Sequence, residues 1–285
     1  MSALRIVCWV LSVCRKAGTM NSAQTTVSAE AKSLAVGAAP RSVDSSPGLR
    51  LLPFVLSVIA GCTDVISFLG LGGLFTAHIT GNLVILAAHA ISGEPAQVAL
   101  LLSVPVFMVA LALTRSLVAG LESIGIASLL PLLLLQFLLL AGFFAICSAA
   151  GSRIDPNATN AILAGMLGVS AMAVQNALVQ VSLKGAPSTA VMTTNVTRFT
   201  MDVGEVLLGR DPGEVAKSRR RAKHTWPAIV GFTFGCGLGA ACEAVVGLWS
   251  LALPTGLALV AIAMGFATRL GAGRAKMVAV EAHQP

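Results

Sequence analysis

Four residues in one apolar stretch combine charge with helical spacing. Thr194, Arg198, Asp202 and Glu205 follow one another at intervals of four, four and three, which places them on one helix face. Ionisable groups inside a membrane span are costly and mark solute or proton pathways by default. The structural alternative is a self-neutralising Arg198–Asp202 pair near a helix end, where arginine can snorkel to the surface. Asp64 lies deep in the first apolar stretch, on a face with Ser57, Gly61 and Phe68. Its expected partner is Arg198, if two halves of the chain meet at a symmetry axis.

His78, Asn82 and His89 share one face of the second stretch, with Thr80 between them. The two histidines are eleven residues apart, roughly 16 Å along a helix. They cannot share one metal ion, and no metal site is expected. A proton relay and plain interhelical hydrogen bonding both remain open for them. Gln175, Asn176 and Gln180 put three amides in one stretch. Such amides join helices in membranes, or line a polar pocket; Asn176 is the sharper candidate because it aligns with Asp64. Gly231, Gly235, Gly239, Glu243 and Gly247 recur every four residues. That small-residue stripe predicts a close helix–helix contact, either within the chain or at a homo-oligomer seam.

Several chemistries are excluded. No P-loop, nucleotide fingerprint, HExxH or GxSxG motif occurs, and Gly70–Gly73 is a corner with no strand before it. No nucleophile–base set is present, so an enzyme is not expected, and no cofactor is implied. The six cysteines form no CxxC pair and read as packing residues. The net charge of +7 comes without a basic, aromatic-interleaved module, so nucleic acid is not an expected partner.

Elements long enough to position these groups follow from composition. The chain of 285 residues is 56% hydrophobic and 11% charged, against about 25% charged in soluble domains, and its mean hydropathy is +0.86. Lipid is the simplest cover for so much apolar surface. The spacing predicts apolar stretches over 51–70, 74–92, 98–120, 126–150, 160–182, 187–208, 226–247 and 250–271, most near the roughly 20 residues that cross a bilayer as a helix. They are not alternating, which argues against a barrel. Gly and Pro corners separate them, together with a long basic loop at 209–225 and a short corner at 247–250. The expected fold is all-α: a polytopic transmembrane bundle of 6–8 helices, spanning 51–271.

Two segments resemble each other. AGCTDVISF (60–68) with FTAHITGN (75–82) corresponds to MAVQNALVQ (172–180) with MTTNVTRF (192–199), aligning Asp64 with Asn176 and Thr80 with Thr197. This predicts an internal repeat, 51–150 and 160–271. If every stretch crosses, eight spans form two parallel repeats. If 51–92 and 160–208 each cross once, six spans form two inverted repeats, as in many secondary transporters. The two models differ at the loop bearing Arg115 and Glu122, outside for eight spans and inside for six. The basic loop at 209–225 carries Arg210, Lys217, Arg219, Arg220, Arg221 and Lys223 and is expected in the cytoplasm with the C-terminal tail, 272–285. Residues 1–50 read as a leader, disordered or preceding a later translation start, with a cleaved signal as the alternative.

The segments GCTDVISFLGLGGLFTAHITGN (61–82) and AVQNALVQ…TTNVTR (173–198) resemble the YoaK-like family of bacterial membrane proteins, defined by domain of unknown function 1275. Its members have a Gly-x-x-Asp helix followed by Thr-Gly-Asn, and later a Gln-Asn-Ala and a Thr-Thr-x-x-Thr-Gly motif. Arg198 stands here where that last glycine is expected. The resemblance implies a small multi-span protein of the bacterial inner membrane and supplies no activity. The leading expectation is a small transporter or permease for an unidentified small solute, with Asp64, His78, Thr80, Asn82, Gln175, Asn176, Thr194, Thr197, Arg198 and Asp202 along its polar path. A non-transporting membrane scaffold is the alternative.

Overall fold

The computed structural model describes residues 47–93, 97–151, 154–183 and 185–281; the leader reading lies almost wholly outside them. Eight apolar stretches become eight α-helices: α1 (Pro47–Gly70), α2 (Ile79–Ser92), α3 (Val98–Ser123), α4 (Leu129–Ala150), α5 (Thr159–Ser182), α6 (Met192–Leu208), α7 (Pro212–Val246) and α8 (Ala252–Glu281). A 3-10 turn, Gly247–Leu251, joins α7 to α8. Five segments are long and apolar enough to cross a membrane, and the last, Pro212–Thr268, contains α7, the turn and most of α8. α2 has 14 residues and α6 has 17. At 1.5 Å per residue they reach about 21 and 25 Å, short of the roughly 30 Å hydrocarbon core.

Two expectations need correction. The predicted stretches starting at 74 and 187 begin with non-helical corners, so α2 and α6 each start five residues later than predicted. The basic loop at 209–225 is helical from Pro212 onward. Asp211 caps that helix by accepting from Gly213 N at 2.9 Å, Pro212 opens it with a preset φ, and Glu214 sits in its first turn. The lysines and arginines that follow are good helix formers, so their charge marks a solvated helix rather than a loop. Helix α8 likewise continues to Glu281, through most of the segment read as a tail.

Helix directions follow from contacts. Gly231 faces Phe54 and Ser57, Gly235 faces Val58, and Gly239 faces Cys62, so α7 runs parallel to α1. Gln175 on α5 reaches Leu56 O, while Gly165 and Gly168 meet Leu74 and Thr76 beyond the end of α1; α1 and α5 are antiparallel. Thr255 bonds Leu140 O and Gly265 packs on Leu130 and Leu133, so α4 and α8 are antiparallel too. Gly72, just past α1, lies against Gln97 and Pro156. The end of α1 and the starts of α3 and α5 therefore share one end of the bundle.

The core is layered along the same axis. One cluster holds Ile66, Leu74, Leu100, Phe143, Ala161 and Leu248. The other holds Leu52, Val118, Leu132, Leu178, Leu183 and Ala258. We refer to these as the first and second ends. Helix α1 packs on α7, α8 and α5; α5 packs on α4 and α3; α2 packs on α3, α6 on α7, and α4 on α8.

The glycine stripe makes the α1–α7 seam. Gly231, Gly235 and Gly239 are buried, and from the other side a Cβ on Gly61 would overlap the Phe232 carbonyl. The Cys62 thiol donates to Gly235 O across the seam at 3.1 Å. The contact lies within the chain.

Candidate functional site

Two corners, one before each short helix, gather several of the buried polar groups. Helix α1 ends where Gly72 (φ +66°) takes the left-handed conformation and Gly73 N donates back to Phe68 O at 2.9 Å, a Schellman-type stop. The chain then folds back beside α1. Asp64 Oδ1 accepts from Thr76 N and Ala77 N, both at 2.8 Å. Its Oδ2 lies 2.9 Å from His78 Nδ1. Asp64 is 3% exposed, so a carboxylate inside a helical span is met by backbone donors and an imidazole rather than by Arg198. His78 lies in the corner, outside the spanning helices. Its hydrogen bond to Asp64 raises its pKa above the ordinary imidazole value; burial opposes this and the Asp64 charge adds to it. Its ring also meets Phe75 and, edge-on, Phe232 of α7.

Asn82, fully buried in α2, closes the first corner. Its Oδ1 accepts from Phe75 N and its Nδ2 donates to Phe75 O, both at 2.8 Å. One side chain thereby satisfies both backbone groups of a residue that no helix or sheet serves.

The second corner repeats this device. Asn195 donates to Ser188 O at 2.6 Å, again across seven residues. Ser188 Oγ accepts from Val191 N at 3.0 Å. Gln175 holds the corner to α1: its Nε2 donates to Thr189 Oγ1 at 2.8 Å and to Leu56 O at 2.9 Å, and its Oε1 accepts from Gln136 at 2.7 Å. Gln136 Oε1 is buried without a hydrogen-bond partner. Asn176, the expected counterpart of Asp64, only donates to Met172 O of its own helix; Gln175 occupies that role. Gln180 is exposed.

The remaining candidates lie elsewhere. Thr80, Thr194, Thr197 and Arg198 are exposed. Asp202 is buried at 4% exposure, but its partner is Arg221, which donates from Nε at 2.9 Å and Nη2 at 2.6 Å to Oδ1. The Arg198–Asp202 pair does not form, because the α6–α7 hairpin turns Asp202 inward onto α7 and leaves Arg198 outside. Asp202 Oδ2 has no partner. Among the described residues no three of His, Cys, Asp and Glu gather closely enough to hold a metal ion.

Sequence reasoning missed Thr76, Gln136, Ser188, Thr189, Asn195 and Arg221. A signal for three of them, Thr76, Thr189 and Asn195, exists. FTAHITGN (75–82) and STAVMTTN (188–195) match at Thr76/Thr189, Ala77/Ala190, Thr80/Thr193 and Asn82/Asn195. In that register Thr80 pairs with Thr193, not Thr197.

Shallow grooves flank the bundle among the described residues, and two of them are well defined. One of about 370 Å³ is lined by Ala145, Ile146, Ala149, Ala150 and Asn160. The other, about 240 Å³, lies between α6 and α7. Neither is lined by Asp64, Asn176 or Arg198.

Long apolar helices, a layered apolar core and two shorter helices held by buried polar clasps define a helical membrane protein. Residues 52–264 match the family model described as protein of unknown function (DUF1275), and the chain belongs to that family. No curated protein and no solved structure matches the chain.

Proposed function

We propose that the chain is a small solute transporter built from two inverted repeats of three crossings each. The observation that carries this reading is the antiparallel run of α1 against α5 and of α4 against α8. Helices four apart in the chain would run parallel if all eight crossed. They run antiparallel if α2 and α6 enter and leave on one side. The corner before α2 begins at Gly72 and the chain returns to Gln97 at the same end, as a re-entrant element does. Exchanging α1 with α5, α2 with α6, α3 with α7 and α4 with α8 maps the helix contacts onto one another: α1–α7 onto α5–α3, α1–α8 onto α5–α4, and α2–α3 onto α6–α7. Non-helical backbone at membrane depth is tolerated where protein or a cavity satisfies it, and transporters place their sites at such breaks.

Six crossings also bring the cations together. Arg115, Arg210, Lys217, Arg219, Arg220, Arg221 and Lys223 then lie at the second end, which is cytoplasmic by the positive-inside rule. In a cysteine-free background, Asp155→Cys should react with an impermeant thiol reagent on intact cells, and Ser116→Cys only after permeabilisation. Labelling of Ser116→Cys from outside would refute six crossings. Transport itself is tested by comparing metabolites of a deletion strain with its parent, then measuring flux of the differing solute into proteoliposomes. Asp64→Asn and Gln175→Ala should each reduce it; unchanged flux in both would remove the corners from the path.

One observation favours the scaffold reading: Asp64 and Gln175 are fully engaged, and neither groove reaches them. A scaffold predicts no deletion-linked solute and no flux.

A further inference from the structure

The groove between α6 and α7 has a composition of its own. Its apolar lining, the trough, includes Val203, Val206, Ala222 and Trp226, and Arg219 and Lys223 line it as well. The two cations are one helical turn apart on one face of α7. The neighbouring charges are already occupied. Arg221 is bound to Asp202, and Lys217 reaches Glu214 at 3.4 Å. Arg219 and Lys223 make no ion pair among the described residues and both are exposed. Trp226 is 48% exposed and stands where the basic part of α7 gives way to its apolar part, the level at which indoles mark a membrane interface. Nearby on α6, Met201 and Leu207 present 71% and 75% of their surface.

We propose that this groove binds an anionic phospholipid. One acyl chain lies in the trough beside Trp226, and the headgroup phosphate sits between Arg219 and Lys223. Free phosphate has no use for the apolar trough, and a zwitterionic lipid gains little from two unpaired cations. Basic pockets between membrane helices hold anionic headgroups for this reason. The inference is independent of transport and needs only the membrane reading.

Lipid quenching of tryptophan tests it. The full chain, carrying Trp9→Phe and Trp249→Phe so that Trp226 alone emits, is reconstituted in phosphatidylcholine vesicles. These contain either brominated phosphatidylglycerol or brominated phosphatidylcholine at equal fraction. Cations at an anionic surface contribute roughly fivefold each, so brominated phosphatidylglycerol should occupy the site at least about fivefold more strongly. Arg219→Gln with Lys223→Gln should bring the ratio near one. Lys217→Gln with Arg220→Gln, the same charge change outside the groove, should leave it. Ala222→Phe, which fills the trough without altering charge, should also remove the preference. Equal quenching by the two lipids in the parent chain would overturn the proposal. So would equal loss in both charge variants, which means diffuse surface attraction, or a preference that survives Ala222→Phe.

Discussion

Two glycines two residues apart on α7 should respond to the same substitution with opposite signs. Gly235 faces the α1 seam. A Cβ there would overlap the Val58 carbonyl oxygen and lie 3.0 Å from Val58 Cα, where ordinary contact begins at 3.4 Å. The obstacle is backbone, which cannot rotate away. Gly235→Ala must therefore part the helices by more than the ~0.4 Å that Val58 Cα alone requires, because the carbonyl oxygen is closer still, and must lengthen the Cys62 hydrogen bond to Gly235 O. Overpacking of this kind costs about 1–3 kcal/mol. Gly237 has nothing within 4 Å of its Cβ position, so Gly237→Ala gains helix propensity, up to about 1 kcal/mol. The two variants should therefore differ by about 1–4 kcal/mol. Near the midpoint that is about 2–4 °C per kcal/mol for a chain of this size. Thermal unfolding in detergent, followed by circular dichroism, reads the difference. If Gly235→Ala melts at or above the parent, or if Gly237→Ala falls as far as Gly235→Ala, the stripe does not hold α7 to α1 by close backbone approach.

The corner clasps should be unequal. Asn82→Ala strips both backbone groups of Phe75 of their partner, at about 1–3 kcal/mol each, whereas Asn195→Ala frees only Ser188 O and should lower the melting temperature about half as much; equal losses would count against the clasp geometry. The His78–Asp64 pair should make stability depend on pH. Because the folded His78 pKa is raised, its contribution is fully present below the ordinary imidazole pKa and is lost as pH rises through the raised value. Melting temperatures measured from pH 5 to 9 should show this fall in the parent and lack it in His78→Phe; identical profiles would exclude the pair as its source.

How much of this was legible depended on the range of the interaction. The apolar stretches between Gly and Pro corners could be read locally, and each contains a helix, although α2 and α6 are shorter than predicted and α7 is longer. The stripe at Gly231, Gly235 and Gly239 could be read because backbone approach needs small residues at helical spacing. The start of α7 at Pro212 was also local: Asp211, Pro212 and Glu214 are a helix-opening set that the dense positive charge obscured. Partners were not legible. Asp64 bonds residues 12 to 14 positions away, and Asp202 bonds Arg221, 19 positions away. Both pairings depend on how a corner or hairpin folds back, which helical spacing does not encode. The first residues of both predicted short stretches looked apolar enough for helix, yet they are held out of it by an Asn side chain seven residues on.

The difference between Asp64 and Gln175 follows from what each corner offers. At the first corner Asp64 faces two backbone N–H groups and an imidazole nitrogen. Two of these can only donate, and both donate to Oδ1, so a carboxylate fits with its other oxygen on the imidazole; an amide could serve the backbone only through its oxygen and would turn its donor onto His78 Nδ1. At the second corner Gln175 faces the Leu56 carbonyl, the Thr189 hydroxyl and the Gln136 amide. That set needs a donor and an acceptor at once, which a carboxylate cannot supply. A buried carboxylate there would face Leu56 O unpaired, at a cost comparable to an unmade hydrogen bond or more. Two corners with the same Thr-Ala string and the same seven-residue Asn clasp therefore hold different side chains for a reason of hydrogen-bond inventory. Among the described residues, the first corner therefore joins a carboxylate to an imidazole, whereas the second joins amides and a hydroxyl. Two similar folds back into the bundle thus differ in chemistry, with a carboxylate–imidazole pair at one and an amide relay at the other.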